Sequence, residues 1–267
     1  MVFESCGFDA TNKGIKASQK TSFKRIKRSR RKVGTMNDFD VVYFVKNAPI
    51  NEELRYSLRS VDANFPHRKV WIYGGKPSDI EPDVFVSVRQ VGLTKWEKVR
   101  NMLRLVCENK SITEDFWLFN DDFFVNQKPT DFQPIYDGSI YKRIVQIESR
   151  NYDKPSPYTA QLRQMVKELE RRCPDSPMNN YAVHFPMLVN REKMMTILNR
   201  FQSPMFRVLY GNYWDIGGVD MKDMKILRNS GVPDDALYLS SDDSSFMTRE
   251  IGRYIRKKFN QKSRFEK

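Results

Sequence analysis

Apolar residues in this chain come in short continuous runs that alternate with amphipathic stretches, starting at Asp38. The run Asp40–Val45 is an unbroken series of β-branched and aromatic residues after its first position, which predicts a strand covered on both faces. In the next stretch, four apolar residues have the spacing of one buried helix face: Leu54, Leu58, Val61 and Phe65. We therefore predict a helix over residues 51–65, with Asn51 as its N-cap and Pro66 as its stop.

The same two patterns recur further along the chain. Strands are predicted at residues 69–73, 85–88, 116–119, 123–125 and 181–189, and helices at 94–108, 159–172, from Asn190 onward, and at 244–259. This alternation is typical of an α/β fold, here an open, mostly parallel sheet flanked by helices, in one domain whose half after residue 130 is irregular. Because ligands bind beyond the carboxyl ends of such strands, the loops after Val45, after Tyr73 and around Asn120 should meet in one crevice.

Length and composition narrow the class of protein. A chain of 267 residues can bury an ample core, and no apolar run is long enough to span a bilayer or to serve as a signal segment. Cys6, Cys107 and Cys173 are odd in number and in no metal-ligand spacing, so a disulfide framework is not expected. We expect a soluble cytoplasmic protein without a transmembrane segment.

The positive charge is concentrated near the ends of the chain. Residues 13–32 hold ten Lys and Arg, so with Glu4 and Asp9 the first 35 residues carry +8 of the total of +13, which leaves +5. We predict a disordered basic tail over residues 1–35, a folded domain over 36–267, and a second basic cluster at 253–267. Such termini could bind a polyanion or an anionic membrane surface. A solvated extension, or an upstream translation with Met36 as the true start, explains the tail equally.

Two acids stand inside the aromatic and aliphatic run at residues 116–125, Phe-Trp-Leu-Phe-Asn-Asp-Asp-Phe-Phe-Val. Buried carboxylates are costly unless neutralised, and a divalent cation does this with few oxygen ligands while leaving positions open for phosphate oxygens. Asp121 and Asp122 are therefore candidate ligands of Mn²⁺ or Mg²⁺ that would hold the diphosphate of an activated donor. The alternative is an acidic turn at the end of a strand.

Three further side chains have two open interpretations each. Arg55 and Arg59 share a face of the predicted helix, where they could bind phosphate bidentately or form a solvated surface paired with nearby acids. His184 could transfer a proton, bind a metal or a phosphate, or be a satisfied core residue.

Two later segments also carry candidate chemistry. The glycine-rich aromatic loop at 211–218 contains Trp214, which could stack on a sugar or a base, and it is followed by Asp220. Asp242, in the polar cluster at 240–245, is either the N-cap of the last helix or a third metal ligand or general base. The sequence has no P-loop, HExxH or GxSxG motif, which argues against P-loop enzymes, zincins and α/β-hydrolases.

Three separated blocks are similar to the Stealth family of hexose-1-phosphate transferases, which act in bacterial capsule synthesis and related pathways. Residues 51–60, Asn-Glu-Glu-Leu-Arg-Tyr-Ser-Leu-Arg-Ser, with Val-Trp-Ile-Tyr at 70–73, resemble that family's NELRYSLRS and IYIV segments. Phe-Asn-Asp-Asp-Phe at 119–123 resembles its FNDD strand end, and His-Phe-Pro-Met at 184–187 its His-x-Pro segment. More broadly these features resemble the GT-A fold, a Rossmann-like sheet of nucleotide-sugar transferases whose DxD-type acids bind a divalent metal.

The resemblance implies roles for particular residues. Arg55 and Arg59 would contact donor phosphates, Asp121 and Asp122 would hold the metal, and His184 would be a base or a phosphate ligand. Tyr43 and Asn120, which stand in the matching strand ends, would contribute to substrate binding. The family's opening YTWVDG is here Tyr-Phe-Val-Lys-Asn at 43–47, without its Trp and Asp, and this departure favours glycosyl over phosphoryl transfer.

These inferences together predict a metal-dependent GT-A-like glycosyltransferase that moves a sugar from a nucleotide-sugar donor to a hydroxyl on a glycan, a protein or a modified DNA base. The catalytic candidates are His184, Asp220 and Asp242. A Stealth-type sugar-1-phosphate transferase of surface polysaccharide synthesis is the first alternative, and a non-catalytic nucleic-acid-binding protein is the second. A nuclease would also use paired acids, but residues 113–126 contain no Lys or Arg to form its basic face.

Overall fold

The computed structural model describes residues 38–92, 94–149, 156–227, 229 and 231–267. The predicted basic tail at 1–35 lies outside these residues. The strands and helices follow in chain order: β1 (Asp40–Val45), α1 (Glu52–Asn64), β2 (Val70–Gly74), β3 (Val84–Ser87), α2 (Lys95–Glu108), β4 (Asp115–Phe119), β5 (Phe123–Val125), β6 (Ile135–Tyr136), α3 (Ile140–Glu148), α4 (Pro157–Arg172), β7 (Met187–Asn190), α5 (Arg191–Arg200), α6 (Phe206–Tyr213), β8 (Val219–Asp220), β9 (Tyr238–Ser240), α7 (Asp243–Thr248) and α8 (Glu250–Lys258).

The central sheet has the strand order β3-β2-β1-β4-β7. Strand β1 lies at its centre and is parallel to both neighbours, with Val41 opposite Val70 on one side and Trp117 on the other. Strand β3 continues the parallel part, whereas β7 joins the other edge antiparallel to β4. The predicted fold class, a mostly parallel sheet flanked by helices, is confirmed.

Both faces of this sheet are covered, which explains why β1 is apolar at successive positions. Side chains alternate between faces, so Val41 and Tyr43 pack in the same cluster as Leu54 and Leu58 of α1. Val42 belongs to the opposite cluster, built from α2, α4, α5 and α6. The strand ends therefore emerge between two packed helical layers.

A smaller unit continues the chain beyond the acidic pair. Strand β5 lies outside the central sheet and pairs antiparallel with β9, with Phe124 opposite Leu239. On this ribbon pack the last two helices, where Phe124 stacks on Phe246 with ring centroids 5.7 Å apart. The turn at residues 120–122 thus joins the main sheet to a second layer that also contains β9 and the start of α7.

Several predicted helix boundaries agree with the structure. Asn51 caps α1 by accepting a hydrogen bond from the Leu54 amide at 2.9 Å, and the helix ends just before Phe65 and Pro66. Thr94 caps α2 and Asn190 caps α5 in the same way. Local capping chemistry decides these positions, so they can be predicted from short segments.

Two predicted elements differ in extent. Only Met187–Asn190 of the segment 181–189 is a strand, because upstream the backbone amide of His184 bonds to the Asp223 carboxylate and not to a neighbouring strand. The final helix is two helices, α7 and α8, separated by an extended Arg249. Their junction is tight, since a Cβ on Gly252 would lie 1.7 Å from the Phe246 carbonyl oxygen. Among the described helices, none is both long enough and apolar enough to cross a bilayer.

Candidate active site

An acidic pocket of about 380 Å³ opens beyond the carboxyl end of β4. Its lining consists of Glu53, Asn120, Asp121, Asp122, Asp242, Asp243 and Ser244. These residues come from three places in the sequence: the first turn of α1, the turn between β4 and β5, and the start of α7. The structure thus brings together the predicted site residues Asn120, Asp121, Asp122 and Asp242.

Hydrogen bonds between α1 and β5 hold the first two of these pieces together, and a cap bond orders the third. The Ser57 hydroxyl of α1 donates to the carbonyl of Phe123, and the Val125 amide donates to Ser60 Oγ at 2.9 Å, so α1 is fixed against β5. At the third piece, Asp242 caps α7 by accepting from the Ser245 amide at 2.7 Å. The N-cap interpretation of Asp242 and its place in the pocket are therefore compatible.

Asp121 is oriented from the N-terminus of α1. The Asn51 side-chain amide donates to Asp121 Oδ2 at 2.7 Å. Burial raises the pKa of Asp121, and repulsion from Asp122 and Asp243 adds to this, while the hydrogen bond from Asn51 acts in the opposite direction. Asp121 therefore stands where added positive charge would stabilise its ionised form.

Asp122 has one satisfied and one unsatisfied oxygen. Lys225 Nζ lies 3.2 Å from Oδ2 and forms an ion pair with it. Oδ1 is buried and has no hydrogen-bond partner among the described residues. A buried acceptor oxygen without a partner is uncommon in folded proteins, and a bound cation or water would complete its coordination.

Glu53, in the first turn of α1, also lines the pocket and is almost fully buried. Ser241 Oγ donates to Glu53 Oε1 at 2.6 Å. Burial raises the pKa of Glu53 to about 8, and the nearby carboxyl groups of Asp243 and Asp122 contribute in the same direction. The pocket thus holds several carboxyl groups whose charges repel one another.

The donor set of the pocket suits a hard divalent cation, since carboxylate oxygens predominate and Asp122 Oδ1 lacks a partner within the described ranges. In the same residues, no three or more His, Cys, Asp or Glu side chains are arranged to hold a metal ion by themselves. Mg²⁺ in phosphate-handling sites usually takes one or two carboxylates from the protein and completes its shell with phosphate oxygens and water. Asp121 and Asp122 fit that smaller role.

The two arginines of α1 lie elsewhere. Arg55 pairs with Asp79 at 2.5 Å, and Arg59 forms two hydrogen bonds of 2.7 Å with Glu266. Arg59 also donates to the Phe259 carbonyl at 2.9 Å. Both guanidinium groups therefore bind acids of the protein itself, and their predicted contact with donor phosphates remains a prediction.

Three other predicted residues are also outside the pocket lining. Tyr43 is fully buried in β1, where its hydroxyl bonds to Ser57 at 2.9 Å and burial raises its pKa. Trp214 ends α6 and donates from its indole nitrogen to the Lys193 carbonyl at 3.2 Å. Asp220 is exposed in β8 and accepts from the Gly138 amide at 2.9 Å.

His184 lies near the pocket, beside the residue that follows Asp122. Its ring is edge-on to Phe123, with centroids 6.2 Å apart, and its Nδ1 is 2.7 Å from Asp223 Oδ2. The guanidinium of Arg207 sits 5.6 Å from the centre of the same Phe123 ring, and burial lowers the pKa of Arg207 to about 10.

Three residues of this region, Glu53, Asp223 and Lys225, have no clear functional signal in the sequence. Glu53 carried only the signal of a first-turn acid, which favours any helix N-terminus. Lys225 is 103 positions away from Asp122, so only the fold shows that they belong to one region. The one local signal for Asp223 is its position in a loop shortly after the glycine-rich segment at 211–218.

No protein-family model matches this chain, and no curated protein matches it. Among solved structures, the chain is similar to the glycosyltransferase GlyE of Streptococcus pneumoniae TIGR4, with a TM-score of 0.28 and 7% identity over 72% of this chain and 69% of that chain. Its apo form gives a TM-score of 0.28 and 9% identity over the same shares. The apo form of mouse xyloside xylosyltransferase 1 gives a TM-score of 0.29 and 12% identity, over 66% of this chain and 73% of that chain. Similarity at this level does not establish function, which must rest on the pocket chemistry.

Proposed function

We propose that this chain is a metal-dependent transferase that moves a sugar from a nucleotide-sugar donor to an acceptor hydroxyl. One observation carries the proposal: beyond the carboxyl end of β4, a pocket of carboxylates contains a buried oxygen, Asp122 Oδ1, without a partner in the described part of the chain. Ligands of open parallel sheets bind at this end of the strands.

The residues of the pocket have distinct roles in this proposal. Asp121 and Asp122 would hold Mg²⁺ or Mn²⁺, and the bound cation would neutralise charge on the donor diphosphate. Asn51 fixes the Asp121 carboxylate by its hydrogen bond, and Lys225 fixes that of Asp122. Each contact is made to Oδ2 of its carboxylate, and Asp122 Oδ1 has no hydrogen-bond partner within the described residues.

Glycosyl transfer is favoured over sugar-1-phosphate transfer because the two arginines of α1 are paired with acids of the protein. Attack on a phosphorus atom needs cationic groups around the phosphoryl oxygens. Arg55 and Arg59, the expected source of such groups, pair with Asp79 and Glu266. Attack on an anomeric carbon instead needs a base for the acceptor hydroxyl, and His184 lies beside the pocket.

A nucleic-acid-binding role explains the site poorly. Phosphate backbones bind to basic surfaces, whereas this pocket is lined by Glu53, Asp121, Asp122, Asp242 and Asp243. Contact with a polyanion or a membrane surface through the basic termini, a glycan as acceptor and a cytoplasmic location remain predictions.

The first test measures thermal stability against a panel of nucleotides and nucleotide sugars, with and without Mn²⁺. A ligand present at about 100 times its dissociation constant stabilises by roughly 2.7 kcal/mol, which is a visible shift. We expect one nucleotide to raise the Tm of the wild type only with the metal, and Asp122→Asn to abolish this rise. Asp175→Asn, which removes an exposed charge after α4, is the matched control and should behave as the wild type.

Product analysis then separates the two reactions. Glycosyl transfer releases a nucleoside diphosphate, and sugar-1-phosphate transfer releases a nucleoside monophosphate. Absence of a metal-dependent shift with every nucleotide would contradict a donor site in this pocket. Release of the monophosphate would instead replace the glycosyl proposal by the phosphoryl alternative.

A further inference from the structure

A second polar cluster lies around His184, outside the acidic pocket. One carboxylate, that of Asp223, binds this histidine twice: Oδ1 accepts from the His184 backbone amide at 3.0 Å, and Oδ2 lies 2.7 Å from the ring atom Nδ1. The Asp223 amide is in turn bonded to Asp137 Oδ2 at 3.3 Å. Two contacts to one residue fix both the position of the backbone and the direction of the ring.

The charge state of Asp223 decides which nitrogen of the ring carries the proton. Burial alone would raise the pKa of Asp223, but the hydrogen bonds from His184 and the positive charge of Arg143 outweigh it and lower the pKa. An ionised carboxylate can only accept hydrogen bonds. Nδ1 of His184 must therefore carry a hydrogen, and in the neutral ring Nε2 keeps its lone pair.

The cluster is next to the acidic pocket. His184 meets the edge of the Phe123 ring, and Phe123 directly follows Asp122. Arg207 lies over the same ring, and its positive charge interacts with both Asp223 and Asp122. The His184 side chain keeps 26% of its surface exposed, whereas that of Asp223 keeps only 12%. The geometry leaves the ring accessible and its carboxylate partner enclosed.

We propose that Asp223 is a positioning residue that holds His184 in the Nδ1-protonated form, so that Nε2 takes the proton of the acceptor hydroxyl. This inference rests on the proposed function. In the step, the acceptor oxygen forms a bond to the anomeric carbon and its proton passes to Nε2. The bond from that carbon to the donor phosphate oxygen breaks, and its electron pair leaves with the nucleoside diphosphate. The imidazolium returns its proton to water after the products leave.

The tautomer can be measured without any substrate. The chain has two histidines, His67 and His184, so long-range nitrogen–proton correlation spectra contain two ring patterns, which His67→Gln assigns. At alkaline pH we expect the wild-type His184 ring to be protonated on Nδ1, and the Asp223→Asn ring to shift toward protonation on Nε2, because the new amide donates to Nδ1. His67 is an internal reference, since its Nδ1 bonds to the Phe65 carbonyl at 2.6 Å and should not respond.

Kinetics test the consequence for catalysis. General-base catalysis contributes about 10²–10⁴-fold, so Asp223→Asn should lower kcat by about a hundredfold or more while the metal-dependent nucleotide Tm shift is retained. His184→Gln should lose at least as much, and the double variant should be no slower than His184→Gln, since the two residues act as one unit. Asp175→Asn is again the control for the loss of one negative charge.

The results separate this inference from the proposed function. If Asp223→Asn keeps the Nδ1-protonated ring, or if His184→Gln keeps wild-type kcat, the positioning role is overturned while the transferase proposal stands. If the tautomer follows Asp223 but the wild type turns over no nucleotide sugar, the transferase proposal is overturned and the base role with it. A tautomer that follows Asp223, together with the loss of kcat, supports both.

Discussion

Glu53 is an acid that folding makes harder to ionise, and this gives the pocket a measurable pH dependence. Its pKa in the folded protein is raised to about 8 by burial and by neighbouring carboxyl groups. The folded state therefore binds this proton more tightly than the unfolded state does. The free energy of unfolding is highest below the ordinary Glu pKa and falls as the pH rises through the raised value. Glu53→Gln mimics the protonated acid and should remove this loss.

We expect Glu53→Gln, in EDTA, to be more stable than the wild type by about 3–5 kcal/mol at pH 9 and nearly equal to it at pH 4. Urea unfolding across this pH range measures the difference. Glu108→Gln, at an exposed position near the end of α2, is the control and should follow the wild-type profile. A Glu53→Gln difference that does not change with pH would contradict the protonated state of the buried acid.

Single residues differ in how far the sequence alone could identify them. The acids at 121 and 122 stand out because aromatic residues surround them. The free-energy cost of burying their charges predicts a ligand that neutralises them. Glu53 has no such signal, because its partner Ser241 is 188 positions away. Asp223 is similar, since its bond to His184 exists only after β7 and the loop at 221–225 have come together.

At the scale of elements, an ion pair between two side chains connects the C-terminal segment to α1. Arg59 and Glu266 form a bidentate pair whose side chains keep 10% and 4% of their surfaces exposed. Phe265 beside it is buried in the cluster that contains Leu58 and Val70. Arg59, which the sequence predicts to contact donor phosphate, thus connects residues 207 positions apart in the structure.

We expect Glu266→Gln to destabilise the fold by about 2–4 kcal/mol, because the buried guanidinium of Arg59 then lacks the negative charge that balances it. Arg59→Gln should cost a similar amount, and the double variant should lose less than the sum of the two. Chemical unfolding gives these values, and nucleotide thermal shifts give the second readout. If Arg59 binds donor phosphate, Arg59→Gln will weaken nucleotide binding and Glu266→Gln will not.

Helices with local stop and start signals are predictable, and those shaped by packing are not. Asn51, Pro66 and Thr94 mark their helix ends in the sequence itself. The break at Arg249 has no such mark, because it arises where Gly252 of α8 is pressed against the carbonyl of Phe246. Apolar spacing continues across the break, so a single helix was the natural prediction there.

Across the whole molecule, acidic and basic side chains occupy different surfaces. The pocket gathers carboxylates, whereas Arg253 and Lys257 are exposed four residues apart on α8 and Arg249 is exposed at the N-cap of that helix. Residues four apart on a helix share a face, so Arg253 and Lys257 form a basic stripe on α8, and Arg249 directly precedes the helix. None of them has a salt bridge within the described residues, and the stripe is therefore available to an anionic partner.

This separation predicts that polyanion binding and donor binding can be removed independently. Changing Arg249, Arg253 and Lys257 together to Gln should reduce the affinity of the full chain for heparin and lower the salt concentration at which it elutes, because fewer counterions are released on binding. The metal-dependent nucleotide shift should stay at its wild-type size, since none of the three residues lines the pocket. The control changes Lys110, Lys128 and Arg171, three exposed cations in separate parts of the chain, to Gln. Because both triple variants lose the same net charge, an equal fall in elution salt would show that total charge and not the stripe governs binding. A larger fall for the α8 variant assigns the contact to this helix face.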